Sequence, residues 1–402
     1  FPTNDLYLNG WKKIKEEETF LKDNKTLSMP TWTELGPNAD PVGSRLNSGV
    51  GRVNVIKANP KDHNEIWAGS ASGGVWKSTD AGKNWKPLAQ TEFMSLGVSD
   101  IAIAPSNPST VYVATGDNDG YFGSYACYSI GIIKSTDGGK TWDIAGEELN
   151  LAEGRLISRV WVHPNNENIL IAASNKGMMK STNGGRTWKN TTNQNIHFAD
   201  LEQKPDDYNT FYASTMTRIL TGQAGFQLSS YVYRSTDGGE TWEIIQTIND
   251  ARRTCIAVTP ALPDVLYVLS ANREGGFLSL IASSDGGNSF EEVNTFAKNK
   301  KNYLDWGNAS NSTKGQGFYD LALEVHPNDS SIVYIGGINI WKSTNAGFDF
   351  SLVAHWVGGY NAAYVHADIH DLRYVGNRIY SGHDGGIDYS DDDGKTWIPL
   401  NK

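Results

Sequence analysis

The residues best suited to chemistry form a histidine-containing cluster near the carboxyl end, Val365-His-Ala-Asp-Ile-His-Asp371. Alternate residues of an extended strand point to the same side, so we expect His366, Asp368 and His370 to project together. Imidazole and carboxylate groups in such a set can bind a transition metal such as zinc. The alternative is structural, with the same groups hydrogen-bonding neighbouring loops and the following His383-Asp-Gly-Gly386 turn. A divalent metal is therefore a candidate cofactor, and no cofactor is certain.

An eight-residue turn that recurs seven times must position this cluster, and Ser135-Thr-Asp-Gly-Gly-Lys-Thr-Trp142 shows its pattern. Asp or Asn and Ser or Thr can bond their own backbone in a turn, and Gly supplies positive φ. The closing aromatic residue anchors the turn in apolar packing. We therefore predict a structural role for the third residue of each turn. These residues are Asp80, Asp137, Asn183, Asp237, Asp285, Asn345 and Asp392.

This turn resembles the Asp-box, or BNR, motif of sialidases, sortilin-type receptors, xyloglucan-cleaving endoglucanases and photosystem assembly factors. Before each turn stand two apolar strands, as in Ile101 to Pro105 followed by Thr110-Val-Tyr-Val-Ala114. With the strands on either side of the turn, each repeat has four antiparallel strands, which make one propeller blade. The expected fold is all-β, a seven-bladed β-propeller of four-stranded antiparallel blades with an Asp-box turn in each blade.

The spacing of the turns, 46 to 60 residues, makes the seven repeats fill residues 48–402. Residues 1–47 are predicted to form an N-terminal arm with a candidate helix at Asn9 to Asn24 and one strand, Thr31 to Pro37, that packs on the ring. The chain begins at Phe1 and stops two residues after its last predicted strand. We therefore expect a fragment of a larger multidomain protein from which a leader or upstream region was removed.

Composition narrows the classes of partner and compartment. The net charge is −10, from 35 Lys+Arg and 45 Asp+Glu, without a basic stripe, so we expect no nucleic-acid partner. No run approaches the ~18 apolar residues of a membrane helix, so we expect no membrane insertion. The predicted location is secreted, extracellular or at the cell surface. Cys127 and Cys255 can form one bridge or remain buried thiols, and the frequent burial of Cys favours the thiols.

The long irregular loops are predicted to lie on one face of the ring, opposite the Asp boxes. They are Gly116 to Ile130, Arg218 to Tyr231, Thr295 to Gln316 and His355 to His366. The aromatic residues of this long-loop face can form a carbohydrate platform or a peptide groove, or they can pack the loops together. These residues are Tyr121, Phe122, Tyr303, Trp306, Trp356, Tyr360 and Tyr364.

Polar residues at the starts of the inner strands should surround the mouth of the central channel on the same face. Arg52, Arg159 and Arg253 are the candidates there for contact with a ligand. Carboxylates stand at equivalent places, and this mixture of signs predicts mutual pairing rather than a funnel of one charge. The carboxylates are those of Asp100, Asp200, Asp320 and Asp371.

One position bears on the resemblance to xyloglucan-cleaving enzymes. Their first repeat is expected to carry a catalytic Asp in an Arg-Thr-Asp-x-Gly-Gly stretch, whereas this chain reads Gly69-Ser-Ala71-Ser-Gly-Gly74. A glycosidase of the usual kind needs two carboxylates flanking the bond, and the resemblance puts the second one on another propeller. The alternative within this chain is a relocated pair, Asp117 or Asp119 with Asp320.

The sequence therefore favours a secreted, non-catalytic propeller that binds extracellular protein or glycan through its long-loop face, in the manner of sortilin-type domains. One alternative is a glycoside hydrolase or lyase acting on extracellular polysaccharide, whole or as half of a larger enzyme. A second alternative is a rigid spacer in a large surface protein. An enzyme predicts facing carboxylates at the channel mouth, a binder predicts an exposed aromatic groove, and a spacer predicts neither.

Overall fold

The computed structural model describes most of the ring. The described residues are 49–88, 97–120, 128–146, 154–192, 196–217 and 228–401, together with the helical positions 13, 16, 17 and 20. The predictions for Tyr121, Phe122, Cys127 and nearly all of the 1–47 arm lie outside them. No helix among the described residues is long and apolar enough to cross a membrane.

Twenty-nine strands in the described residues form seven small sheets, which confirms the seven-bladed all-β propeller. The first blade contains β1 (Val53–Asn59), β2 (Asp62–Ser70), β3 (Gly74–Ser78) and β4 (Lys86–Leu88). The second contains β5 (Val98–Ile103), β6 (Val111–Thr115), β7 (Ile132–Ser135) and β8 (Asp143–Ile144). The third contains β9 (Ile157–His163), β10 (Asn166–Ser174), β11 (Gly177–Ser181) and β12 (Lys189–Asn190).

The remaining four blades follow the same order. The fourth contains β13 (Phe198–Gln203), β14 (Phe211–Thr215), β15 (Ser229–Ser235) and β16 (Glu243–Asn249). The fifth contains β17 (Ala251–Val258), β18 (Leu266–Asn272), β19 (Phe277–Ser283) and β20 (Glu291–Thr295), followed by the short helix α1 (Phe296–Asn299). The sixth contains β21 (Ala322–Val325), β22 (Val333–Gly336), β23 (Ile340–Ser343), β24 (Ser351–His355) and β25 (Ala363–Tyr364). The seventh contains β26 (Ile369–Val375), β27 (Arg378–His383), β28 (Gly386–Ser390) and β29 (Ile398–Pro399).

Each blade is an antiparallel meander in chain order, except that β25 pairs parallel with β24 and adds a fifth strand to the sixth blade. The first strand of every blade lies innermost and contacts the first strands of both neighbouring blades. An inner strand therefore has apolar neighbours on both sides, and β5 is buried along its whole length. Because the strands alternate in direction, the second and the outer strands end on the same face of the ring, where the described parts of the long loops begin.

The ring closes between the seventh and first blades, a boundary that the chain does not cross within the described ring. There β1 contacts β26 and β27. The backbone N–H of Val50 donates to the carbonyl of Gly385 at 2.9 Å. At the other end of the ring, the side chain of Asn401 accepts a bond from the N–H of Ile387 at 3.0 Å. Noncovalent contacts therefore make this closure.

The acidic side chains of the Asp boxes form hydrogen bonds within their own turns. Ser135 Oγ donates to Asp137 Oδ1 at 2.8 Å, while Thr141 donates its N–H to Oδ1 at 2.9 Å and its hydroxyl to Oδ2 at 2.7 Å. These bonds, led by the backbone N–H of Thr141, lower the pKa of Asp137. The closing Trp142 packs edge-on against Trp67 of the preceding blade, with ring centroids 6.3 Å apart. The serine-to-acid or serine-to-amide bond recurs at Asp80, Asn183, Asp237, Asp285, Asn345 and Asp392.

Candidate functional site

A connected set of charged residues closes the mouth of the channel on the long-loop face, and we call it the mouth network. It draws on five of the seven blades, because the inner strands and the loops beside them converge there. Cations and carboxylates are equal in number, which fits the predicted mutual pairing. The members are Arg52, Asp117, Asp119, Arg253, Tyr319, His370 and Asp384.

His370, the second residue of β26, lies at the centre of the mouth network. Its Nδ1 is 3.1 Å from Asp119 Oδ2, and its Nε2 is 3.0 Å from Asp384 Oδ1. Burial lowers the pKa of this imidazole, but the hydrogen bonds and charges of the two carboxylates prevail and raise the pKa to about 9. At neutral pH the ring is therefore a cation held between two anions.

Two arginines fix the carboxylates around this cation. Arg253 Nη2 donates to Asp119 Oδ1 at 2.9 Å and, although burial opposes it, this charge and His370 hold the pKa of Asp119 below its usual value. Arg52 pairs with Asp117 and donates to the hydroxyl of Tyr319 at 3.0 Å. That hydroxyl in turn donates to Asp384 Oδ2 at 3.0 Å. No sequence pattern pointed to Tyr319, whereas Asp384 belongs to the His383-Asp-Gly-Gly386 turn that was expected to bond the histidines.

Two further carboxyl groups border the mouth network. Asp320 is buried, and neither of its oxygens has a hydrogen-bond partner in the structure. Burial and then the charge of Asp368 raise the pKa of Asp320 well above its usual value. Asp368 is half-buried, and burial followed by the charge of Asp384 raises its pKa as well. The mouth therefore contains carboxyl groups whose environments favour opposite protonation states.

The three acids considered for catalysis from sequence, Asp117, Asp119 and Asp320, lie around this same mouth. Asp117 is bound to Arg52, and Asp119 is bound to Arg253 and His370. Asp320 has no solvent contact, so it cannot touch a substrate in this conformation. Their catalytic role stays a prediction.

His366 and Asp368 do not lie in a strand, so the alternation from which we expected His366, Asp368 and His370 to project together does not apply to them, and the metal site stays a prediction. Asp368 has a φ of 65°, which breaks the alternation just before β26 begins at Ile369. The ring of His366 instead stacks on His383, with centroids 5.8 Å apart. His370 uses both ring nitrogens for carboxylates. In the described part of the chain no three His, Cys, Asp or Glu side chains are grouped so that they could hold a metal ion.

Deeper in the channel, acids of three inner strands each bind the backbone of the next blade. Asp100 accepts the backbone N–H of Val160 at 2.8 Å, and Asp371 accepts that of Ile56 at 2.7 Å. Asp200 accepts the N–H of Ile256 at 3.0 Å and also binds Arg159 at 2.8 Å. Arg159 is thus a partner of Asp200 in the lining of the channel, and its contact with a ligand stays a prediction.

The channel is narrow around these strands. A cavity of ≈ 20 Å³ remains there, lined by Arg159, Asp200, Arg373 and their neighbours. This volume suits about one water molecule and excludes a sugar or a peptide. Cys255, also in the lining, is a buried free thiol, and burial raises its pKa. A sugar or a peptide therefore does not fit into this part of the channel.

An exposed group of aromatic side chains lies on the long-loop face, and we call it the aromatic surface: Trp306, Trp356, Tyr360 and Tyr364. Trp306, Tyr360 and Tyr364 are 48%, 62% and 36% exposed. Trp356 Nε1 donates to the carbonyl of Trp306 at 3.0 Å, which joins two of the long loops. Tyr364 of β25 pairs in register with His355 of β24. These contacts hold a broad aromatic area open to solvent.

Tyr303 does not belong to this surface, although the sequence grouped it there. It is 1% exposed and packs edge-on against Phe277 and Trp341, with centroids 5.0 and 5.3 Å away. Packing therefore accounts for Tyr303, whereas the binding platform stays a prediction for the exposed aromatic residues. The other two predicted aromatic residues, Tyr121 and Phe122, lie outside the described ranges.

The raised pKa of His370 predicts a specific pH dependence of stability. The folded-state pKa of about 9 exceeds the ordinary 6.5, so the imidazolium contributes stability that is complete below about 6.5 and is lost as pH rises through 9. Chemical denaturation between pH 6 and pH 10 should show a falling free energy of unfolding. The His370→Gln variant should lose this slope, whereas His63→Gln, at an exposed histidine, should keep it. An imidazole that titrates near 6.5 by NMR at position 370 would contradict the prediction.

Known proteins resemble this chain in its repeat and in its sequence. A family model described as BNR/Asp-box repeat matches residues 233–243. The xyloglucanase Xgh74A of Acetivibrio thermocellus is 24% identical over 367 residues, which is 81% of this chain and 40% of that protein. The chain spans less than half the length of the curated relatives that it matches.

Two solved structures show the same fold. The GH74 enzyme of Niastella koreensis superimposes with a TM-score of 0.60 at 20% identity, over 87% of this chain and 54% of that one. The Ycf48 protein, in a structure with bound D1 peptide, superimposes with a TM-score of 0.54 at 12% identity, over 85% of this chain and 93% of that one. At these identities the likeness concerns the fold alone.

Proposed function

Because this chain is a BNR/Asp-box repeat β-propeller with homologues among the GH74 xyloglucanases, we propose that it acts on extracellular polysaccharide as one propeller of a glycoside hydrolase-like protein. The observation that carries the proposal is the aromatic surface, which is exposed on the face of the ring that also has the carboxylates of the channel mouth. Aromatic faces offer large rigid areas on which sugar rings can stack. The relatives favour this reading over a non-catalytic binder, and an extracellular location follows from such a substrate.

The charges at the mouth favour a neutral polysaccharide over an acidic one. Arg52 is bound to Asp117, and Arg253 is bound to Asp119. His370 is shared by two carboxylates. These cations are already engaged, so they attract an anionic sugar weakly compared with an open arginine cluster. Neutral glucans, including xyloglucan, are therefore the expected substrate class.

Affinity electrophoresis in gels containing xyloglucan, mixed-linkage glucan or polygalacturonate tests the proposal. We expect retention by a neutral glucan, and we expect Trp306→Ala to weaken it about tenfold, as loss of ~1.4 kcal/mol of stacking would. Phe348→Ala is the matched control, because Phe348 is 61% exposed but lies in the Asp box of the sixth blade, on the opposite face. Equal loss in both variants, or no retention by any neutral glucan, would overturn the proposal.

Recognition of an extended peptide is the second candidate, favoured by the apolar Val357 beside the aromatic surface and by the fold likeness to a peptide-bound structure. Apolar anchors flanked by hydrogen-bonding loops suit such a ligand. Binding of extracellular protein that Trp306→Ala abolishes, without retention by any glucan, would support it. Failure of both assays would favour the rigid spacer.

A further inference from the structure

We propose that His355 is a positioning residue, which keeps the aromatic surface in shape for its ligand only while the imidazole is neutral, so that acid releases the ligand. The inference rests on the proposed function and adds to it the regulation of the same site. His355 is the last residue of β24 and is 2% exposed. Histidine suits this role because its charge ordinarily changes between pH 5 and 8.

The buried ring of His355 lies among the residues of the aromatic surface. Its centroid is 5.0 Å from that of Tyr360, which it meets edge-on, and 6.4 Å from that of Trp356. Its backbone pairs in register with Tyr364 of β25. The fourth member, Trp306, is bonded to Trp356 through its carbonyl oxygen at 3.0 Å. A change at this one ring therefore reaches every member of the surface, either directly or through one bond.

The turn that follows β24 has a backbone conformation that needs support from its neighbours. Four successive residues have positive φ: Gly358 at 71°, Gly359 at 92°, Tyr360 at 55° and Asn361 at 58°. Glycine adopts such values readily, whereas they cost stability at the other two residues. Backbone of this kind persists only where surrounding contacts hold it. The position of Tyr360 in the aromatic surface therefore depends on what holds this turn.

His355 holds the turn through two hydrogen bonds. Its Nδ1 accepts the backbone N–H of Val357 at 3.3 Å, and its carbonyl oxygen accepts that of Gly358 at 2.9 Å. Because Nδ1 accepts a bond, it carries no proton, and the neutral ring has its proton on Nε2. Protonation would place a hydrogen on Nδ1 and set it against the N–H of Val357. The imidazolium ion therefore cannot keep the first of these bonds.

The surroundings of His355 favour the neutral ring. Burial lowers the pKa of His355 below its ordinary value, although nearby backbone groups and then the charge of Asp305 oppose it. The described titratable groups around the ring are Asp305 from the long loop before β21, Tyr360 from the turn and Tyr364 from β25. Both oxygens of Asp305 accept backbone N–H groups of its own loop, at 3.0 and 2.9 Å. Its carboxylate is therefore already engaged.

His370, on the same face of the ring, has the opposite arrangement. Both of its ring nitrogens face carboxylates, at 3.1 and 3.0 Å, and they raise its pKa to about 9. The Nδ1 of His355 faces a backbone donor instead. An opposite charge favours the protonated ring, whereas burial beside a donor favours the neutral one. One histidine is therefore charged at neutral pH, and the other is not.

Acid should release the turn and leave the rest of the aromatic surface in place. The folded-state pKa of His355 lies below the ordinary 6.5, so its contribution to the ordered turn is complete above about 6.5 and is lost as pH falls through the folded-state value. Asn339 does not titrate, and it accepts the N–H of Trp356 at 3.1 Å and donates to the carbonyl of Asp305 at 3.2 Å. The loss is therefore confined to the turn that carries Tyr360.

Calorimetric titration of the full chain with xyloglucan at pH 7 and at pH 4.5 tests the inference. We expect the affinity to be about fivefold or more weaker at pH 4.5, within the usual range for coupling between two sites. His355→Asn should bind equally at both pH values, because the asparagine Oδ1 can accept the N–H of Val357 in place of Nδ1 and does not titrate. His63→Asn, at an exposed histidine, is the control and should keep the pH dependence.

A measurement without glucan separates this inference from the function on which it rests. We expect NMR to show that the ring of His355 titrates below 6.5 and that the indole N–H signal of Trp356 shifts with the same midpoint, but not in His355→Asn. That result without binding of any neutral glucan would overturn the proposed function and leave the positioning role standing. A midpoint at or above 6.5, or equal affinity of the unaltered chain at both pH values, would overturn the inference. Circular dichroism at each pH identifies a loss of binding that is due to unfolding of the blades.

Discussion

Arg253→Met is expected to lower the free energy of unfolding by about 3–5 kcal/mol, because it removes one of the two cations that pair with the largely buried carboxylate of Asp119. Arg253 donates to Asp119 at 2.9 Å and to the carbonyl of Tyr319 at 2.7 Å, so its guanidinium joins the fifth blade to a loop of the second blade and to the entry of the sixth. Methionine fills a similar length but cannot replace these bonds. Urea denaturation at pH 7 measures the change.

The double variant Arg253→Met/Asp119→Asn is the matched control for this effect. An amide at position 119 carries no charge and can still accept a bond from His370, so more than ~1 kcal/mol of the loss should return. A single variant that loses less than ~1 kcal/mol would show that the pair is solvated, and the mouth network would then be a surface feature.

Tyr303→Ala is expected to cost about 3–5 kcal/mol of unfolding free energy, the range for deleting a buried aromatic ring. The ring fills the space between Phe277, Trp341 and Phe350 at the interface of the fifth and sixth blades. Its removal leaves a cavity that these three rigid rings cannot close. Thermal and chemical denaturation of the purified variant test the expectation.

Tyr360→Asn provides the contrast on the same face. Tyr360 is exposed and has a φ of 55°, a conformation that asparagine tolerates well, so stability should change by less than ~0.5 kcal/mol. If both tyrosine variants lose the same stability, then the distinction drawn between packing and surface aromatics is wrong.

The fold could be predicted from the sequence because its signals are local. Each Asp box completes its hydrogen bonds within eight residues, as Asp137 does with Ser135 and Thr141. The spacing of the boxes then indicates the number of blades. The side of the ring on which the loops lie follows from antiparallel alternation, so the face that carries the candidate site was also predictable.

The pairing within the mouth network could not be predicted in the same way. Arg52 meets Tyr319, and His370 meets Asp119, across 267 and 251 residues of chain. Charges at the starts of inner strands indicated that opposite signs would meet, but the choice of partner depends on the shape of each loop. The pairing of Asp384 with His370 is one such choice of partner.

Two errors show where pattern rules stop. Strand alternation was applied to Asp368, yet this residue has a positive φ and stands before β26 begins. Tyr303 and Trp306 stand three residues apart in one loop, yet the first is buried and the second is exposed. Irregular loops have no period, so residue type alone does not separate a packing ring from a surface ring.

The closure of the ring between the seventh and first blades has a mechanical consequence. Six boundaries between blades are spanned by the polypeptide, whereas this one is held by contacts such as the bond from Val50 to Gly385. Force that pulls the first and seventh blades apart would act on these noncovalent contacts alone, because no covalent link within the described ring spans the boundary. The ring would therefore separate first at the boundary between the seventh and first blades, while each blade remains folded.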